Sequence, residues 1–353
     1  MDEARALSGG DLSLRIEPRR QNIMGAMLAP ILVTDHDWFE YLAAHGPFDE
    51  VNFWRPSDKR KPSWAPGTPA LFKLRKPYGG WIVGYGLFAR HELVPAWLAW
   101  EAFGDKNGAA DFAGMRDRIE KLRRGTGSAR TAGESRRGAA DARAGDYTIG
   151  CLMVSQPVFL AREAWVLPPA GWPDNTVQGK SYGLTEGEGA RVWREVLAAA
   201  GAQRTGASVS GPLAPGAPTG PRYGDATLVR PRLGQGTFRL AVTAAYDRAC
   251  AVTQEHSLPA LEAAHIRPFA EEGTHEVPNG LLLRSDIHRL FDKGYVGVTP
   301  EHRFVVSKAL KDDFENGKSY YPLHGREIWL PENVGERPSA GMLEWHLGER
   351  FRG

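Results

Sequence analysis

Residues 261–292 read LEAAHIRPFAEEGTHEVPNGLLLRSDIHRLFD, and this stretch decides how the rest of the chain is interpreted. His265 closes an apolar segment with the look of a strand end, so its imidazole can point into a cleft and take a proton near neutral pH. Asn279 precedes the apolar run Leu281-Leu282-Leu283, where its amide can brace the intervening polar loop. On a helix starting near Ser285, His288 and Asp292 stand four residues apart. They therefore share a face and can both approach a divalent ion. Hydrolysis of a phosphodiester needs a general base for the attacking water and a cation for the charge developing on the leaving oxygen. The spacing supplies candidates for both roles and predicts a ββα-metal arrangement.

Four ordered segments carry a family resemblance: CAVTQ at Cys250 to Gln254, AAHI at Ala263 to Ile266, NGLLL at Asn279 to Leu283, and HRLFD at His288 to Asp292. Together they resemble the HNH, or His-Me finger, endonucleases. The resemblance implies that His265 is the base, His288 a metal ligand and Asn279 the middle asparagine that orders the loop. In many such proteins the residue just before the base is an aspartate or histidine that binds the metal, whereas here it is Ala264. Residues two apart on a strand share a face, so Glu262 can reach the same place. Asp292 is an equal candidate, and Asp286 is either a further carboxylate or a helix cap. Magnesium is the expected ion, with Mn²⁺ or Co²⁺ as substitutes, because oxygen ligands with one imidazole suit it and phosphate oxygens complete its shell. Arg267, Arg284 and Arg289 are candidate phosphate contacts. His275, His302, His324 and His346 have no partner at a useful spacing and read as structural.

The 353 residues suit two domains and a linker, and 42% hydrophobic with 24% charged residues are ordinary globular values. A net charge of +2 with a pI near 8.5 neither demands nor excludes a nucleic-acid partner, so any basic surface is local. Cys151 and Cys250 form no CxxC pair, which argues against a zinc knuckle and fits a reducing cytoplasm. The first residues lack the apolar core of a signal peptide and no run reaches membrane-spanning length. The expectation is a soluble cytoplasmic protein without a membrane partner.

Four regions follow from composition. Residues 1–21 are a polar leader. Residues 22–200 form a domain with strands at LAPILVTD, VNFW, ALFKLRKP, GWIVGYGLFARHEL and YTIGCLMVSQPVFL, and a helix at DHDWFEYLAAHG that Asp37 can cap. A helix around Phe112 to Arg123 runs into a small, polar insertion, and GARVWREVLAAAG closes the domain as a helix. Residues 201–232 are too rich in Gly and Pro to fix themselves and form a flexible linker. Residues 233–353 contain the nuclease-like segment, opening on a helix with Phe238, Val242 and Tyr246 on one face.

Most aromatic residues of the first domain are expected in a core. Trp54 and Trp64, however, flank a polar loop carrying Lys59, Arg60 and Lys61, which offer phosphate contacts. Ser155 and Gln156 place polar groups at a strand end, where an amide can read a base edge. The run VNFWRPS, a Gly-Pro turn, LFKLRKPYGGWIVGYGLF and AWEAFG resembles the PUA-like fold that includes EVE and ASCH domains. That resemblance implies an α+β protein: an N-terminal PUA-like β-barrel with flanking helices, a flexible linker and a C-terminal ββα-metal HNH domain. It further implies that a modified base is flipped from the duplex and stacked between aromatic side chains, with Trp54, Trp64, Trp81 and Tyr85 as cage candidates. A reader of modified bases joined to a nuclease resembles the modification-dependent restriction enzymes. The expectations are double-stranded DNA carrying modified cytosine as the partner and a homodimer for two-strand cleavage. A reader of RNA or unmodified DNA, or a binding protein with a degenerate nuclease fold, are the alternatives.

Overall fold

The computed structural model describes residues 28–56, 62–125, 147–173, 176, 179–205 and 233–353. The expected leader, most of the linker, the polar insertion and the basic triplet Lys59-Arg60-Lys61 lie outside the described residues. The first unit holds β1 (Leu28–Thr34), α1 (His36–His45), β2 (Glu50–Arg55), β3 (Pro69–Leu74), β4 (Ile82–Pro95), α2 (Ala96–Phe103), α3 (Phe112–Gly125), β5 (Thr148–Phe159), β6 (Lys180–Gly183) and α4 (Gly187–Thr205). The second holds α5 (Gln235–Ala245), β7 (Leu261–His265), β8 (Gly280–Arg284), α6 (Ser285–Asp292), β9 (Val296–Val298), β10 (Phe304–Val306), α7 (Ala309–Phe314) and α8 (Ala340–Glu349). The fold is mixed α and β.

The first six strands form one sheet in the order β2-β5-β4-β3-β1-β6, with β1 and β3 parallel and the other pairs antiparallel. Among the described residues this sheet is open, with β2 and β6 as its edges, which corrects the expected barrel. The side-chain pattern gives the reason. In β3, Ala70, Phe72 and Leu74 enter one core while Leu71 enters another, and in β1 Leu32 and Ile31 part in the same way. A sheet apolar on both faces is satisfied by helices on both faces rather than by closing around one interior. On one face lie Trp38, Phe39 and Leu42 of α1, with Met115 and Ile119 of α3; on the other lie Val192 and Val196 of α4. The residue that caps α1 is Asp35, whose carboxylate accepts the Trp38 N–H at 3.1 Å, not Asp37, which stands in the first turn. Helix α4 continues to Thr205, past the expected start of the linker.

Helix α5 belongs to both units. Its Leu240 joins the core of the large sheet, while Phe238, Ala241 and Val242 join the core around β7 and β8. Its N-cap is Gly234, which has no side chain to satisfy the free N–H groups of the first turn. Glu50, fully buried on edge strand β2, does so instead: its carboxylate accepts from Gly236 N at 2.7 Å, Thr237 N at 3.1 Å and Thr237 Oγ1 at 2.5 Å. A Cβ at Gly234 would stand 2.2 Å from Glu50 Cδ, so glycine is what allows this approach. Further links cross between the units, among them Arg90 to Glu336 at 2.7 Å, Arg239 to Glu101 at 2.6 Å, and Arg248 Nη2 to Leu93 O at 2.5 Å.

Candidate active site

Strands β7 and β8 pair antiparallel, with His265 opposite Gly280 and Glu262 opposite Leu283, and α6 follows β8 directly. Leu261, Ala264, Leu281, Leu282 and Leu283 are buried beneath the hairpin together with Ile287 and Phe291 of α6. Gly280 lets α5 lie close, since a Cβ there would meet Val242 Cγ2 at 2.5 Å. That proximity sets Phe238 flat against the His265 ring, with centroids 3.8 Å apart and planes inclined by 13°.

Asn279 is buried and makes a hydrogen bond through each side-chain group. Its Oδ1 accepts Arg267 N at 2.9 Å, and its Nδ2 donates to Arg267 O at 2.8 Å and to Thr274 O at 2.9 Å. These bonds fasten both ends of the loop between β7 and β8. The loop carries His275, whose Nδ1 lies 3.0 Å from His265 Nε2. His275 is therefore not a detached structural residue, contrary to the expectation from spacing alone. It stands ten positions from His265, a distance along the chain that reveals nothing until the loop folds back.

Burial pushes the His265 imidazole down to about 4, and any positive charge on His275 or His288 pushes it the same way. The ring is thus neutral at neutral pH and can accept a proton. Burial also lowers His275, against the upward pull of Glu50 and Asp49 from the first unit.

The second histidine is gripped by both carboxylate candidates. His288 Nδ1 is 2.7 Å from Glu262 Oε2, and His288 Nε2 is 3.4 Å from Asp292 Oδ2. Ala264, the residue just before His265, is fully buried. Among the described residues no group of three or more His, Cys, Asp or Glu side chains forms a ready-made metal cage. The donor set nonetheless suits a divalent cation with few protein ligands. Burial raises the Asp292 carboxyl, and the negative Glu262 adds to that rise even though His288 opposes it. A cation between the carboxylates would relieve this repulsion and leave positions for water and phosphate.

The arginine candidates divide. Arg284 is committed to Asp286 through two bonds of 2.7 Å, which hold the Asp286 carboxyl down to about 2, so a phosphate would have to displace that pairing. Arg267 pairs with Glu272 at 2.9 Å and lies over the Trp345 ring. Arg289 is exposed on α6.

In the first unit the structure does not bring the four cage candidates together. Trp54 is buried, with its Nε1 donating to Asn107 O at 3.0 Å; Trp64 packs edge-on against Phe88; Tyr85 packs edge-on against Trp193 beneath α4. Ser155 is buried with its hydroxyl 3.4 Å from Leu87 O, while Gln156 is exposed. Trp81 alone of the four lines an open cleft of 580 Å³, with Tyr78, Trp165, His36, Arg162 and Glu40. His36 stacks on Tyr78 at 4.0 Å, and the Arg162 guanidinium lies over Trp165. Trp165 and His36 carry no local signal in the sequence, because they come from segments 129 residues apart.

An antiparallel hairpin with a histidine at its strand end, a loop-bracing asparagine and a helix bearing a second histidine defines a ββα site of the nuclease type. The HNH endonuclease family matches residues 250–299, which span this hairpin, α6 and β9, so the C-terminal part of the chain carries an HNH endonuclease domain. Among curated proteins, none is similar to this chain at a significant level. No helix among the described residues is long and apolar enough to cross a membrane.

Proposed function

We propose that the protein is a modification-dependent DNA endonuclease, in which the first unit binds a modified cytosine flipped from the duplex and the HNH site hydrolyses a nearby phosphodiester. The observation that carries the nuclease reading is the convergence of a neutral, half-buried His265 with a carboxylate-flanked His288 on one hairpin-helix unit. His265 removes a proton from the attacking water. Glu262, His288 and Asp292 are the groups that would hold a divalent ion, most simply Mg²⁺, which when bound supplies charge stabilisation at the leaving oxygen. Asn279 keeps the loop in place and touches no reacting atom.

The reader part of the proposal is supported by the Trp81 cleft, whose aromatic walls offer stacking and whose Glu40 and Arg162 offer hydrogen bonds to a base edge. Extruding a base costs a few kcal/mol, which stacking and edge contacts must offset. Cutting both strands with one such site per chain calls for two copies meeting on the DNA.

The test is digestion of DNA containing unmodified, methylated, hydroxymethylated or glucosylated cytosine, with Mg²⁺ and with chelator. Cleavage of at least one modified DNA, much faster than of unmodified DNA and only with metal, is expected. His265→Ala should slow it by about 100-fold or more while leaving DNA binding intact. Full activity of that variant removes the catalytic assignment, and equal cutting of unmodified DNA removes the reader.

A further inference from the structure

Two imidazoles meet edge to edge in this site, and the second has no role in the reading above. We propose that His275 is a positioning residue for the general base, holding His265 in the tautomer that can accept a proton from water. The inference rests on the assignment of His265 as the base.

His265 directs Nε2 at His275 Nδ1, 3.0 Å away. That nitrogen is engaged, so the one left for the water is Nδ1. A neutral imidazole carries its single proton on one nitrogen and a lone pair on the other. For Nδ1 to accept, Nε2 must bear the hydrogen and donate it, and His275 Nδ1 must be the acceptor. The opposite arrangement, with His275 donating, would place the hydrogen of neutral His265 on Nδ1 and disable the base. Once His265 has taken the proton at Nδ1, it is an imidazolium that still donates from Nε2 to His275. The oxygen of the deprotonated water bonds to phosphorus as the bond to the ester oxygen breaks, that oxygen takes a proton from solvent water to leave as the alcohol, and His265 returns its extra proton to solvent.

The surroundings hold His275 to this task. Asn279 Nδ2 fixes the carbonyl of Thr274, the residue just before it, at 2.9 Å. The exposed Phe269 ring stacks on its face at 4.4 Å with planes 6° apart. The charged groups acting on it are Glu50, Asp49 and Lys106 of the first unit, while His275 and His288 act on His265. Burial outweighs the two carboxylates and keeps His275 neutral, which leaves its Nδ1 lone pair free to accept from His265.

The test compares His275→Ala and His275→Asn with His265→Ala in the full-length protein. Cleavage is followed on cytosine-methylated plasmid with Mg²⁺ and on bis(p-nitrophenyl) phosphate with Mn²⁺, the latter needing no base recognition. His275→Asn keeps an acceptor the same number of bonds from Cα as Nδ1. The expected result is a fall in kcat of about 10- to 100-fold for His275→Ala, with KM changed by less than about twofold. Substantial recovery is expected in His275→Asn. Imidazole ¹⁵N shifts should show His265 with its hydrogen on Nε2 in the wild type and in His275→Asn, and a mixture of tautomers in His275→Ala. If His265→Ala is inactive while both His275 variants cut at the wild-type rate, the positioning role is wrong and the base assignment stands. If His265→Ala is itself fully active, the base assignment fails. Equal loss in both His275 variants, with the His265 tautomer unchanged, also overturns the proposal, because a purely structural role would behave that way.

Discussion

Asn279 shows how much one buried side chain can fix. Its amide makes three hydrogen bonds to backbone atoms of Arg267 and Thr274, and it is 1% exposed, so no water can take its place cheaply. Asn279→Ala leaves one N–H and two carbonyls without that partner. The expected cost is about 2–4 kcal/mol in chemical denaturation, with cleavage reduced because His275 loses the anchor of its neighbour. Asn279→Asp is a sharper probe. A carboxylate still accepts from Arg267 N but meets the carbonyls of Arg267 and Thr274 with lone pairs, so it should lose at least as much stability as alanine at neutral pH. Stability of Asn279→Asp equal to the wild type would show that the donor half of the amide contributes nothing. His265, Asn279 and His288 were legible in the sequence because strand end, turn and helix face are local patterns. His275 was not, since its partner is fixed by a loop path that the sequence does not spell out.

At the level of elements, α5 is the decisive piece: it is capped by a strand of the other unit and carries the Phe238 ring that stacks on His265. Glu50 accepts three hydrogen bonds at the start of α5, and Lys106 Nζ lies 3.8 Å from the same carboxylate. A negative group at a helix N-terminus is favourable, and more so when partly desolvated. Glu50→Ala should therefore destabilise the protein by about 2–4 kcal/mol, and Glu50→Gln, which keeps an oxygen acceptor but no charge, by about half as much. Urea unfolding followed by tryptophan fluorescence measures both. Cleavage should weaken alongside stability, because Phe238 lies one turn into α5 and stacks on His265. Gly234→Ala, whose Cβ would collide with Glu50 Cδ, should reproduce the defect. The apolar face of α5 was readable from Phe238, Val242 and Tyr246, all of which are buried. Its cap was not, because the capping residue lies 186 positions from Gly236. The same limit explains the sheet: strand positions follow from alternation and turn residues, whereas closing or opening depends on whether helices cover both faces.

Across the whole molecule, the two units share a seam: Leu240 sits in one core, Phe238 in the other, and Glu50 and Asp49 act on His275 across the join. A chain held this way should lose stability in acid for a definite reason. Burial lowers both His265 and His346 from 6.5 to about 4, and His346 is only 2% exposed, with Nε2 bonded to Phe291 O at 3.0 Å. In the unfolded chain both titrate near their ordinary value, so between about pH 6.5 and 4 the unfolded state holds more protons than the folded one. The contribution of these two histidines is fully present above about pH 6.5, falls as pH drops through that window, and is gone below about 4. Each histidine should account for about 1–3 kcal/mol, His265 toward the lower end because it is less enclosed. Asp286, held down to about 2, titrates below this range and does not mask it. Denaturant midpoints measured from pH 7.5 to 4.5 should therefore decline in the wild type and decline less in the His265→Gln, His346→Gln double variant. An equal slope in both proteins would mean that the two buried imidazoles are not what acid attacks first.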